Sequence, residues 1–112
     1  MNYEPVGLQH VNVDEVTPVT VGPGCTRYDL PGRSGMRAWI VDIEAGAAWP
    51  HVDRHDELGE DVFVVSGEMI EGEARYGAGT FLHFGPNSSH RPRSEKGVRL
   101  FGVNLTRSPQ EA

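Results

Sequence analysis

Residues 51–67 read HVDRHDELGEDVFVVSG, a polar stretch of histidines and carboxylates that runs directly into an apolar segment closed by glycine. The Val62-Phe63-Val64-Val65 run is rich in β-branched and aromatic residues and too apolar for a surface strand, which predicts a strand of the core. Working outward, MRAWIVDIE (36–44) alternates, with Arg37, Trp39, Val41 and Ile43 on one face and Met36, Ala38, Ile40 and Asp42 on the other. Apolar residues on both faces predict a central strand. VRLFGVNL (98–105) is a last long strand, and TFLHF precedes the turn GPNSS. EMIEGEARYGAG reads as strand, turn at Gly72 and short strand. VTPVTV (16–21) carries Pro18 and suits an edge, followed by the turn GPG and a weaker strand, TRYDL. No segment sustains the three-to-four-residue apolar spacing of an amphipathic helix. The expected fold is therefore all-β, with short antiparallel strands in two packed sheets or a barrel.

The 112 residues fit one domain. The expected organisation is an N-terminal arm with edge strands at 1–24, a core barrel at 36–105 and a frayed tail at 106–112. Lys+Arg 10 against Asp+Glu 16 gives a formal charge of −6, which disfavours capture by nucleic acid or an anionic membrane. A single cysteine, Cys25, excludes an intrachain disulfide framework and a cysteine-rich zinc finger, and is expected to be inert packing. The N-terminus lacks the pattern of a secretory signal, and no apolar run approaches the roughly 18 residues of a membrane span. A cytoplasmic protein is expected.

On an extended strand, residues two apart share a face, so His51, Asp53 and His55 point the same way. Glu60 opens the apolar strand after a turn at Gly59, close enough to return to the same place. His90 follows GPNSS and enters HRPR. Imidazole and carboxylate donors suit iron, manganese, nickel or zinc. Asp56 and Glu57 read as a solvated turn. Alternation places Arg91 and Arg93 outward when His90 faces inward, and His83 opposite Leu82 and Phe84. Trp39, Trp49, Phe63, Tyr76 and Phe101 are candidates for a pocket mouth, although large aromatics in a small sandwich are more often core.

Two spacings carry a resemblance to a known family. His55 is followed after four residues by Glu60 and after six more by Gly67; Gly79 is followed by TFLHF, GPN, SS and His90. These match the two metal-site motifs of the cupins, small jelly-roll barrels of two packed antiparallel sheets. The chain departs from them in three ways, one being Ser94 where many members have asparagine. Asp53 stands where the family has its first histidine, with His51 displaced by two residues, and Gly85-Pro86-Asn87 replaces Pro-x-Gly. Asn is the best non-glycine for a left-handed turn position, so that bend is retained. The pattern is most similar to the branch holding the sensor domain of zinc-dependent anti-sigma factors and the non-haem iron enzyme that cleaves acetylacetone.

The resemblance implies that His55, Glu60 and His90 hold a divalent ion, Fe(II) by preference and otherwise Zn, Mn or Ni. Asp53 would complete the shell or act as base, with His51 a possible substitute ligand. Asp53 and Glu60 are the expected catalytic residues. The implied activity is dioxygenase-like oxidoreductase chemistry on a small carbonyl or enolisable metabolite, with isomerase or lyase chemistry close behind. The alternative is a non-catalytic sensor or regulatory cupin that binds a ligand or metal. No separate helical, zinc-binding segment is legible beside the barrel. Cupins of this size commonly pair through an N-terminal strand, so a homodimer is expected, with the Pro18 arm a candidate edge.

Overall fold

The computed structural model describes residues 2–54 and 58–105, and of Arg54 the backbone alone. Its strands are β1 (Val19–Gly22), β2 (Cys25–Leu30), β3 (Met36–Ile43), β4 (Asp53–Arg54), β5 (Glu60–Glu71), β6 (Ala74–Gly77), β7 (Phe81–Phe84), β8 (Ser89–His90) and β9 (Val98–Leu105). The main sheet runs β1-β2-β3-β9-β5-β6, with β7 also paired to β5, and β4 pairs with β8. Every pairing is antiparallel. The all-β, antiparallel jelly-roll architecture expected from the sequence is what forms. Among the described residues, no helix is long and apolar enough to cross a membrane.

β3 is central, as its two apolar faces require, and is paired along its length with β9 on one side and β2 on the other. Its Trp39, Val41 and Ile43 are buried with Val98 and Leu100 of β9 and Val62, Val64 and Met69 of β5. Full burial of an aliphatic side chain of this size contributes about 1.5–3 kcal/mol. Cys25 belongs to this core, its Sγ 3.3 Å from the Ala48 carbonyl oxygen. Burial, reinforced by Glu44, raises its thiol pKa, so it packs rather than reacts.

β5 differs from expectation in two respects. It does not stop at Gly67 but continues for 12 residues across a bulge between Val64 and Ser66. Gly67 adopts φ 78°, and a Cβ there would lie 2.0 Å from the Gly97 carbonyl oxygen. Only glycine fits this corner, where the strand leaves the β9 side and enters the second layer. There Ile70 exchanges backbone hydrogen bonds with Arg93, which also bridges Ala48. Ser94 pins the corner: its hydroxyl donates to the Glu68 carbonyl at 2.6 Å and accepts from the Gly97 amide at 2.9 Å.

The second difference is burial. Val62 and Val64 are core, but Phe63 and Val65 are 41% and 44% exposed. The run Val62–Val65 alternates in spite of its uniform hydrophobicity, because β5 buries one face and the described residues leave the other uncovered. Phe63 faces Phe81 of β7 and Phe101 of β9; Phe101 faces Ile40, and Ile40 faces Tyr28. An apolar ribbon thus crosses the outside of the main sheet. Phe63 and Phe101, candidates for the pocket mouth, lie on this outer face instead.

The corner predicts a contrast between two glycines of similar φ. Gly67→Ala should cost at least ~2 kcal/mol in chemical denaturation, from the left-handed backbone and the carbonyl clash together. Gly72→Ala, at φ 61° with nothing within 4 Å of a new Cβ, should cost only the conformational part, about 1 kcal/mol.

Candidate metal centre and its cavity

β5 begins with Glu60 and ends with Glu71, and both ends reach the same imidazole. His90 Nε2 lies 3.0 Å from Glu60 Oε2, and its Nδ1 lies 3.2 Å from Glu71 Oε2. A straight strand of this length would hold its ends roughly 36 Å apart; the corner at Gly67 brings them to opposite sides of one ring. Phe84 stacks on His90 with centroids 4.0 Å apart and planes 18° from parallel. Glu71 is in turn fixed by the Arg91 amide, which donates to its Oε1 at 2.7 Å.

The other oxygen of Glu60 is held from the main sheet. Asn104 Nδ2 donates to Glu60 Oε1 at 3.0 Å, and Trp39 Nε1 donates to Asn104 Oδ1 at 2.6 Å. The indole reaches Asn104 because it lies across Gly102: a Cβ at that position would come within 2.0 Å of the ring. Glu60 and His90, both with 6% side-chain exposure, are thus buried but hydrogen-bonded on every side shown, as buried charged groups must be.

Glu60 and His90 line a cavity of about 360 Å³ together with Trp39, Trp49, His51 and Asp53. Asp53 stands opposite His90 in the β4–β8 register. His51 Nε2 lies 3.2 Å from Asp53 Oδ1, so His51 and Asp53 share the cavity wall as the alternation expected. His55, Asp56 and Glu57 lie outside the described residues. Among the described residues no three His, Cys, Asp or Glu side chains converge as a metal-holding group. The structure therefore brings Glu60 and His90 together as one pair, and His51 and Asp53 as another.

The donor chemistry of the first pair fits a divalent ion. Glu71 beside Nδ1 holds the ring with Nε2 directed at Glu60; carboxylate backing of this kind orients imidazole ligands. A divalent cation held here would take His90 Nε2 and Glu60 Oε2 as donors and would supply Lewis acidity. Glu71 and Asn104 were absent from the residues expected here, and Trp39, a candidate for the pocket mouth, does line the cavity. Only Gly102, a glycine at an inward position of a long apolar strand, was a local sign that something large approaches the backbone.

Other residues fall where alternation put them. Arg91 and Arg93 are exposed, although Arg91 Nε also donates to the Trp49 carbonyl at 2.7 Å. His83 is exposed and pairs with Asp61. Asn87 takes φ 63°, the left-handed conformation the second motif requires.

Burial opposes protonation of His90, but the hydrogen bonds and charges of Glu60 and Glu71 outweigh it and raise its pKa. A raised folded value means that this pairing stabilises the metal-free protein fully below the unfolded histidine value of about 6.5, and that the contribution is lost as pH rises through the folded value. In chelator, the stability difference between the wild type and His90→Gln, followed by denaturation across pH 5–9, should therefore shrink on the alkaline side.

Comparison with known proteins supplies the family. A family model described as the ChrR cupin-like domain matches residues 6–107. A search of curated proteins returned no match. Among solved structures, an RmlC-like cupin from Shewanella frigidimarina superposes with a TM-score of 0.75 at 17% identity, covering 95% of this chain and 97% of the other. A candidate acetylacetone dioxygenase from Methylibium petroleiphilum gives 0.75 at 15% identity, covering 100% and 89%. The Rhodobacter sphaeroides complex of SigE with the anti-sigma ChrR gives 0.72 at 22%, covering 83% of this chain and 50% of that one. At these identities the structures show the shared fold, and the family model, spanning most of the sequence, shows the membership: the chain belongs to the ChrR cupin-like domain family.

Proposed function

We propose that this cupin is a metal-dependent enzyme acting on a small carbonyl or enolisable metabolite, with dioxygenase-like chemistry first and isomerase or lyase chemistry second. The Glu60–His90 pair, backed by Glu71 and lining a cavity of about 360 Å³, carries this reading. Glu60 and His90 would be ligands, joined by His55. A bound divalent ion, Fe(II) by preference, would supply Lewis acidity and open positions for substrate oxygens. Asp53 faces the same cavity and keeps a partner in His51, which suits a base that takes a proton from carbon beside the carbonyl. Trp39 and Trp49 form apolar wall and limit water around the reacting carbon.

The protein purified anaerobically without a chelating column should carry stoichiometric divalent metal, and His90→Ala should lose it. Glu71→Gln should retain the ligands but bind metal ~10–100-fold more weakly. Native protein without stoichiometric transition metal under these conditions would overturn the proposal. The family's likeness to an anti-sigma complex supports a second reading, a sensor cupin that binds metal or ligand without turnover. Metal-loaded protein that binds small carbonyl compounds but leaves them unchanged, with no proton exchange beside the carbonyl, would favour it.

The proposed assembly is a homodimer, and besides the Pro18 arm the outer ribbon of Phe63, Phe81, Phe101 and Ile40 is a candidate contact. On its borders Arg99 forks onto Asp42 with two bonds of 2.8 Å, and His83 hydrogen-bonds with Asp61. A second copy of this face thus meets the Arg99 charge already paired with Asp42. Light scattering should give a dimer mass that Phe63→Glu reduces to a monomer; a concentration-independent monomer in the wild type would refute the assembly.

A further inference from the structure

The cavity that holds the acidic pair is also lined by Arg27 and Arg37. In a chain of net charge −6, two of the ten basic residues line one small pocket, Arg37 at its exposed side. Arg37 comes from β3 and faces Asn104 in the β3–β9 register, while Glu60 faces the same Asn104 from β5. Glu60, Asn104 and Arg37 therefore form one row on the inner sheet face, with the Cα atoms of Glu60 and Arg37 about 10 Å apart. No carboxylate among the described residues pairs with Arg37.

Arg27 is held differently. Asp29, two residues along β2, accepts from its Nε at 2.9 Å and its Nη2 at 3.3 Å. That fork fixes the guanidinium plane and leaves Nη1 without a partner among the described residues. One arginine is thus oriented in advance, and the other is available to move onto a ligand. Neither is explained by the acidic pair, because Glu60 already has Asn104 and His90 on its two oxygens.

We propose that Arg37, assisted by Arg27, binds a carboxylate of the substrate, so that the pocket takes a short oxo acid rather than a neutral ketone. This deepens the enzyme reading given above and rests on it for the carbonyl end of the molecule. A guanidinium recognises a carboxylate by paired N–H donors, and such charge-assisted bonds are stronger than neutral ones. The row geometry leaves room for a few carbons between that carboxylate and a carbonyl beside Glu60 and His90.

The test uses two probes of matched size, 4-oxopentanoate and the neutral hexane-2,5-dione, titrated by NMR and calorimetry into zinc-loaded protein and into protein held in chelator. The wild type should bind the oxo acid at least ~10-fold more tightly than the diketone, as expected when a charge-assisted pair forms. Arg37→Gln should abolish that preference, Arg37→Lys should restore part of it, and neither should alter diketone binding. Equal affinity for the two probes, an undiminished preference in Arg37→Gln, or no saturable binding of either probe would overturn the proposal. Because the arginine contact does not depend on a bound ion, its failure is distinguishable from failure of the metal reading. Anion preference without zinc uptake would sink the latter alone, and zinc uptake without anion preference the former alone.

Discussion

The structure depends on a corner made by two backbones. At Gly67 the long β5 strand turns against Gly97, so closely that no side chain fits between them, and the Ser94 hydroxyl ties both sides of the bend. Everything in the second layer is placed from there. Ile70 pairs with Arg93, and Arg93 is three residues beyond His90, so the angle of the corner decides where His90 falls over the first layer. The two ends of β5 then close on one ring. A local steric requirement at a glycine is converted in this way into the spacing of a polar site some distance away.

That site is made of buried charged groups, which are costly unless every polar atom finds a partner. The chain meets the requirement with residues from several strands: Glu60 and Glu71 from β5, His90 from β8, Asn104 from β9 and Trp39 from β3. Removing any one member leaves another unsatisfied in a dry setting, so the members are coupled rather than additive. Phe84 adds an apolar face to the imidazole and restrains its tilt. The result is a Glu60–His90 pair whose orientation is fixed by its neighbours.

What could be read from the sequence follows the range of the forces involved. Alternation is local, and β3 and β9 were legible almost residue for residue, as were the turn at Asn87 and the outward arginines after His90. The motif spacings located Glu60 and His90 because each sits at a fixed distance from a turn. Phe63 and Val65 were misread, since hydrophobicity alone does not distinguish a core-facing residue from one on an uncovered sheet face. β5 was broken at Gly67 because an isolated glycine looks like an end, when here it marks a bend. Glu71 and Asn104 had no local signature at all: their importance arises from contacts across 19 and 44 residues of chain.

Trp39 lies where the side chain of residue 102 would be. Its indole therefore serves at once as wall, hydrogen-bond donor and filler of a missing neighbour, and the depth of the cavity is set by the absence of a single methyl group. Relatives with alanine or larger at this place would have to surrender the indole or move it. Pocket volume and the anchoring of Glu60 would then change together. Cavity size and the integrity of the buried polar cluster are, in this chain, one variable rather than two.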